Sequence, residues 1–385
     1  MGWTRTKALT TELPPAPSLI RWFLSGVLMA IAGVLLFILH ASGTMKILAE
    51  FNIWWVSLAP PGIWLTLFCL RGWLWGKEVD EYEFLQKEAA RAQKLWEAWA
   101  ERHLAILGSC LFLPDNISAV SLPHTLPQQY GLIRKIDYLP GTASLEQIAT
   151  EALLKGTEDA LRKLPADLPL KVVLIADLPA AEMVKAFAAV WTTLFPERAL
   201  PDDITVNTIL SMGRVEERLQ QPLLTVELFL VVQLRGGEAY SDGLAALLLT
   251  SDDVAQKYHL PHPARLLRPM PLDIARFDED LRLFLNTQTV ACRTTFVLED
   301  HRGWEEMTAA LITTGHVQGA AWGPSERISL EKWSGIPGPA SPWLLTALAA
   351  DLVSRNKTSL LMLLASGEER FISTVTSGSE NEHIG

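Results

Sequence analysis

The sequence predicts an α/β protein: an N-terminal two-helix transmembrane hairpin followed by a soluble domain of layered helices and strands. Three observations predict it. Two long uncharged apolar runs fall within residues 19–75. Beyond them, short β-branched runs alternate with amphipathic stretches of helical period, the pattern of an α/β layered domain. The 385 residues hold only three cysteines and no C-x-x-C spacing, so neither a disulfide framework nor a zinc site organises the chain.

The first run extends from Trp22 to Leu39. The second extends from Phe51 to Leu70, where Pro60-Pro61 interrupts it. A helix needs about 20 apolar residues to cross about 30 Å of hydrocarbon, and both runs approach that length. A cleaved signal peptide is not expected, because the first run exceeds the usual apolar core of about 7–15 residues and a second run follows closely. Trp54, Trp55, Trp64, Trp73 and Trp75 gather near the ends of the second run, where indole rings favour the headgroup region. Arg5, Lys7 and Arg21 precede the first span, Arg71 and Lys77 follow the second, and only Lys46 lies between. The positive-inside rule therefore places both termini in the cytoplasm. Residues 1–18 become a cytoplasmic tail and residues 19–75 the hairpin. Neither span holds an ionisable residue at mid-depth, so the hairpin shows no ion path.

The net charge of −10 argues against a nucleic-acid partner. Residues 77–107 contain no Gly or Pro, and Leu85, Ala92, Leu95, Trp96, Trp99 and Leu104 recur at helical spacing. This reads as an amphipathic linker helix leaving the membrane, and residues 76–115 are assigned to it.

Ser144–Leu164 reads as a helix opened by a capping box, with Ser144 and Gln147 three apart. Leu170–Ala176 is a continuous apolar run, the signature of a strand covered on both faces. Ala180–Leu194 is a second helix, and Leu223–Leu234, Leu244–Thr250 and Ala291–Leu298 are further buried strands. Gly303–Thr314 and Pro342–Ser354 are helices, while Ser359–Ala365 and Glu369–Thr376 close the domain as a strand pair. The soluble domain spans 116–376, and the polar residues 377–385 form a disordered tail.

Few residues suggest chemistry on their own. His259 and His262 sit in a Pro-flanked loop that does not fix metal-ligand geometry, and no carboxylate or cysteine completes a set. Asp300 adjoins His301, but successive strand side chains point to opposite faces. Arg235-Gly236-Gly237 lacks the phosphate-loop pattern and reads as a turn. Gly213–Arg218 reads as the solvated face of a helix, with Arg214 and Arg218 an unfavourable pair. Gly335–Pro342 (GIPGPASP) is rigid and poor in backbone donors. It is either a turn capping the helix that follows or a preformed contact surface. Trp304, Trp322, Trp333 and Trp343 cluster in the last third, where indoles serve as core residues or interface anchors.

Three ordered stretches resemble the thiolase-like fold of β-ketoacyl synthases. Ser144–Ala176 resembles that family's opening helix and strand. Ser241–Thr250 (SDGLAALLLT) resembles its glycine turn feeding a buried strand. Phe296–Leu311 (FVLEDHRGWEEMTAAL), followed by Ile328–Ala350, resembles its strand–His–Gly–helix and Lys–turn–helix elements. The resemblance implies two related halves in a reduced, layered αβαβα body. It also implies a cysteine nucleophile and two histidines, and here the transfer mostly fails. The region between the strand near 170 and the glycine turn near 243 contains no cysteine, and Ser211 is the nearest substitute. His301 matches the first histidine and Lys332 the lysine before the second, whose turn reads GIPGPASP instead.

The architecture of two spans, a Trp-containing helix and a degenerate domain also resembles the membrane-anchored lipase adaptors of bacterial type VI secretion. The expectation is therefore a non-catalytic adaptor at a bacterial inner membrane, without cofactor or metal. Its protein partner would bind at Trp333, Ile336, Pro337, Pro339 and Trp343, beside the lipid bilayer. The alternatives are an acyl-thioester-processing enzyme that uses His301 and a sensor whose soluble domain gates the hairpin.

Overall fold

The structure is a computed structural model that describes residues 2–6, 8–43, 51–122, 126–139 and 141–378. Lys7, Lys46 and residues 379–385 of the expected tail lie outside the described residues. The chain divides into two units: Arg5–Leu95, and Trp96 onward together with the first residues up to Thr4.

In the first unit, α1 (Leu19–Ala41) and α2 (Ile53–Ala100) are both long and apolar enough to cross a membrane. They run antiparallel. Trp22 packs against Trp64 and Phe68 near one end, and Phe37 packs against Trp54 near the other. Trp64 Nε1 donates to Ser25 Oγ at 3.0 Å. Pro60-Pro61 interrupts the apolar run without ending the helix, and α2 continues through both prolines. Pro61 lacks the N–H that would bond the Ser57 carbonyl. At that carbonyl α1 packs closely, since a Cβ on Gly33 would lie 2.4 Å from Ser57 O. Packing against a neighbouring helix is what makes such prolines tolerable in a span.

The linker helix ends earlier than its periodicity suggests. It stops at Ala100, and His103–Phe112 form a strand, β1. Leu104, Ala105, Ile106 and Leu107 are buried, with β1 paired on both sides, so the sheet supplies the backbone partners that a helix would have used. Tertiary pairing here overrides local helix preference.

The remaining strands are β2 (Leu170–Ala176), β3 (Asp203–Asn207), β4 (Val226–Gln233), β5 (Gly243–Ser251), β6 (Ala264–Leu267), β7 (Met270–Pro271), β8 (Phe296–Glu299), β9 (Arg327–Ser329), β10 (Leu360–Ser366) and β11 (Glu369–Ser377). The helices are α3 (Leu145–Gly156), α4 (Glu158–Arg162), α5 (Ala180–Leu194), α6 (Gly213–Gln220), α7 (Asp252–Lys257), α8 (Phe277–Thr287), α9 (Thr308–Val317), α10 (Glu331–Ser334) and α11 (Ser341–Asn356). The expected strand 170–176 and helix 180–194 coincide with β2 and α5. The helix expected over 144–164 opens as foreseen, with Ser144 Oγ accepting from the Gln147 N–H, but breaks at Gly156–Thr157 into α3 and α4.

The sheet order is β3-β2-β4-β5-β1-β6-β11-β10-β8-β9, with β7 on β11. This order contains a duplication. From its outer edge inward, the first half places its third, second, fourth, fifth and first strands. The second half repeats that order with β9, β8, β10, β11 and β6. In each half the fifth strand is antiparallel to both neighbours and the outer three are parallel. β1 and β6 meet antiparallel at the centre.

Three apolar cores separate five layers. One fills the space between α3, α5 and the outer face of the first half-sheet. Another lies between α8 and the outer face of the second half-sheet. The central core joins the inner faces of both halves to α6 and α11. The layered αβαβα body expected from the sequence is the observed architecture.

Candidate functional site

The two central helices begin close together. Trp343, in the first turn of α11, donates from Nε1 to the Leu210 carbonyl just before α6, at 2.8 Å. Next to it, Ser211 Oγ donates to Glu369 on β11 and accepts from the Gly213 N–H at 3.1 Å. Ser211, in the first half, is thus hydrogen-bonded to the β10–β11 hairpin of the second. A cavity of about 470 Å³ opens beside Ser211, lined among others by Lys171, Thr205, Asn207, Arg214 and Glu369.

Asp300, at the end of β8, is fully buried and takes three donors: Trp304 Nε1 at 2.8 Å, Ser341 Oγ at 3.3 Å and the Ala365 N–H at 2.6 Å. Burial pushes its carboxyl pKa up. The neighbouring His301 and the three donors pull the other way. A buried carboxylate needs such partners to remain charged. Asp300 therefore ties together the His301 turn, the start of α11 and the end of β10.

His301 caps the 3₁₀ turn Arg302–Met307. Its Nδ1 accepts from the Gly303 N–H at 2.8 Å, and its ring stacks on Trp304 at 5.8 Å. Lys332 Nζ lies 3.7 Å from Glu305 Oε1 and 4.6 Å from the Tyr130 ring centre. His301 and Lys332 thus border the same turn, each engaged by its neighbours. Glu331 joins that turn to the segment 126–139, accepting from the Arg302 N–H at 2.7 Å and the Gly131 N–H at 3.2 Å.

Segment 126–139 forms a strap over the GIPGPASP turn. Gln128 N–H donates to the Lys332 carbonyl, and Ile336 N–H donates to the Leu132 carbonyl. Asp242 accepts from the Ile136 N–H at 3.0 Å and pairs with Lys135. Burial raises the Asp242 carboxyl pKa, and these two donors oppose the rise. The turn also abuts the β4–β5 hairpin. Gly335 has φ +86, and a Cβ there would lie 2.4 Å from both Leu132 O and Ser241 Oγ. A Cβ on Gly338 would lie 2.2 Å from Gln233 Oε1. Positive φ and close backbone approach require glycine at 335, whereas a Cβ at 338 would displace the Gln233 amide from its bonds to Ser241 and Ala340.

This changes the expected contact surface. Trp333 and Trp343 are core residues, 9% and 1% exposed, and Trp343 stacks on Phe229 at 4.8 Å. Large indoles contribute most when fully desolvated, and the central core supplies that setting. Ile336, Pro337 and Pro339 are partly exposed. The supposed solvated face at 213–218 is also corrected. Arg218 is buried, with Nε 2.9 Å from Glu227 Oε2, and Arg214 Nη2 is 3.2 Å from Oε1 of the same carboxylate. Two like charges tolerate proximity because Glu227 lies between them. The sequence carried no signal for Glu227, Glu331, Glu369 or the strap, each of which acts through long-range contacts.

Beyond Trp96 the cysteines face the two outer cores. Cys110 on β1 packs against α3, and burial pushes its thiol pKa up to about 12. Cys292 belongs with the α8 core, and burial raises its thiol as well. Among the described residues no group of three His, Cys, Asp or Glu side chains could hold a metal ion.

No protein-family model and no curated protein matches the chain. Solved structures do. A keto synthase–chain length factor, PfaC, aligns with a TM-score of 0.50 at 13% identity, covering 73% of this chain and 43% of that one. A type II polyketide ketosynthase complex, AntDE:AntF, aligns at 0.49 and 11% identity, covering 72% and 100%. FabH, a 3-oxoacyl-(acyl carrier protein) synthase III from Pseudomonas aeruginosa PAO1, aligns at 0.43 and 15% identity, covering 72% and 99%. The PfaC match shows a thiolase-like fold for the unit from Trp96 onward and nothing further.

Proposed function

We propose that this chain is a membrane-tethered, non-catalytic adaptor whose thiolase-like domain binds a protein partner at the cytoplasmic face. The partner class favoured is a component or effector of type VI secretion. One observation carries the reading. The turn opening α6 holds Leu210, Ser211 and Met212, while Cys110 and Cys292 face the outer cores with burial-raised thiols. Acyl transfer by a thiolate needs an accessible cysteine with a lowered pKa.

The tether reading has its own support. Trp3 packs on Trp99 and Phe284 of the soluble unit, at 5.1 and 5.4 Å. A two-span hairpin brings both termini to one side, and the basic residues favour the cytoplasmic side. The partner surface is Ile336, Pro337 and Pro339, with Leu132 and Ile133 of the strap beside them.

The test is purification of the tagged full chain from solubilised membranes. A stoichiometric protein should co-purify and be lost on Ile336→Ser and Ile133→Ser substitution. Turnover of malonyl or long-chain acyl thioesters that disappears in His301→Ala would replace this reading with the enzymatic one.

A further inference from the structure

The first residues, up to Thr4, group with the unit that begins at Trp96, whereas Arg5 and the residues after it group with the hairpin. The Trp3 indole is the centre of that small contact. It meets the Trp99 ring edge-on at 5.1 Å and the Phe284 ring at 5.4 Å, and it packs on the core beneath α8. The receiving surface is fixed by partners of its own. Phe284 is fully buried. The Arg268 guanidinium lies 4.1 Å from the Trp99 ring centre, and Arg268 Nε donates to the Trp99 carbonyl at 3.0 Å. Trp96 meets Trp99 edge-on at 5.4 Å.

Beside the indole the space is narrow. A Cβ on Gly2 would lie 2.7 Å from Asp280 Oδ1, and the Asp273 N–H holds that carboxylate through Oδ2 at 2.8 Å. Asp280 is buried, so it cannot swing into solvent to make room. A glycine followed by a tryptophan fits this cleft.

The residues after Trp3 give the contact little support. Arg5 bonds Gln93, and residues 8–13 are exposed and belong to no helix or strand. One indole therefore holds the tip in place, while the short tail keeps it near the cleft at an effective concentration on the order of millimolar. Contacts of this kind open locally without unfolding the core beneath them.

We propose that residues 2–4 form a releasable latch: Trp3 fills a preformed aromatic cleft at Trp99 and Phe284, and the vacated cleft accepts a Gly-Trp peptide segment in its place. The latch uses no residue of the Ile336 surface, so its test stands apart from that of partner recovery. The full chain in nanodiscs, as parent and as Trp3→Ala, is titrated calorimetrically with a synthetic peptide of residues 2–12, with empty nanodiscs as background. The peptide should bind Trp3→Ala saturably, and the parent, whose own Trp3 fills the cleft, at least about tenfold more weakly. The same peptide carrying Trp3→Ala should not bind. Gly2→Val in the full chain presses a side chain onto Asp280 and should also open the cleft to the peptide, which decides the matter if Trp3→Ala fails to fold. No saturable binding to either variant at millimolar peptide, equal binding to the parent, or equal binding of the altered peptide overturns the proposal.

Discussion

Ser211 donates its hydroxyl proton to Glu369, joining the turn before α6 to the β10–β11 hairpin of the other half. The hydroxyl also receives the Gly213 N–H, so Ser211 braces the opening of a central helix. A thiol placed here would adjoin the Gly213 N–H at the opening of α6, and a helix N-terminus lowers thiol pKa values. Ser211→Cys is therefore expected to react with maleimide at least about tenfold faster than Cys110 or Cys292, whose thiols burial holds protonated. Timed labelling read by peptide mass spectrometry checks this, and a rate no greater than that of Cys292 would contradict it.

Asp300 holds three elements through three donors. Truncation strands all of them in the core, and each orphaned buried donor costs about 1–3 kcal/mol. Asp300→Ala should lower unfolding free energy by at least about 3 kcal/mol in chemical denaturation. Asp300→Asn keeps an acceptor oxygen and should cost less.

Glu227 pairs with both Arg214 and Arg218, and Glu217 gives Arg214 a second partner. Removing its charge leaves a guanidinium buried without its counter-ion. Glu227→Gln should destabilise by about 3 kcal/mol. A change below about 0.5 kcal/mol would mean that solvent reaches Arg218.

His103 is a pH-sensitive element. Burial, with Arg265 and His262 adding to it, pushes its pKa down to about 4, against the pull of the Glu101 carbonyl and Asp252. The folded chain keeps the ring neutral, whereas the unfolded chain protonates near pH 6.5. The unfolded state thus binds more protons between these values. Stability is fully present above about pH 6.5 and is lost as pH falls toward 4, by on the order of 3 kcal/mol. The difference in unfolding free energy between the parent and His103→Gln, followed from pH 7 to pH 4, isolates this contribution from the buried carboxylates. A difference that stays flat would sink the assignment.

The GIPGPASP turn separates folding from binding. Gly338→Ala forces a Cβ into Gln233 and should lower stability by about 1–3 kcal/mol. Ile336→Ser changes a partly exposed side chain and should leave stability within about 0.5 kcal/mol. Loss of partner recovery with Ile336→Ser, at unchanged melting temperature, marks the turn as contact surface.

By itself the sequence determined the elements whose signal is local. The uncharged runs became α1 and the start of α2, Leu170–Ala176 became β2, Ala180–Leu194 became α5, and Ser144 capped α3. Part of the candidate site was legible in the same way, since His301 and Lys332 stood in recognisable local contexts and Ile336, Pro337 and Pro339 in an unusual composition. Tertiary structure decided what depends on distant partners. His103–Leu107 continue a helical pattern, yet sheet pairing with residues more than a hundred positions away makes them strand. Trp333 and Trp343 are core because both half-sheets close on α11, and Arg218 is buried because β4 brings Glu227 to it. Periodicity records the face that an element presents, whereas burial and ion pairing are settled by what later packs against that face.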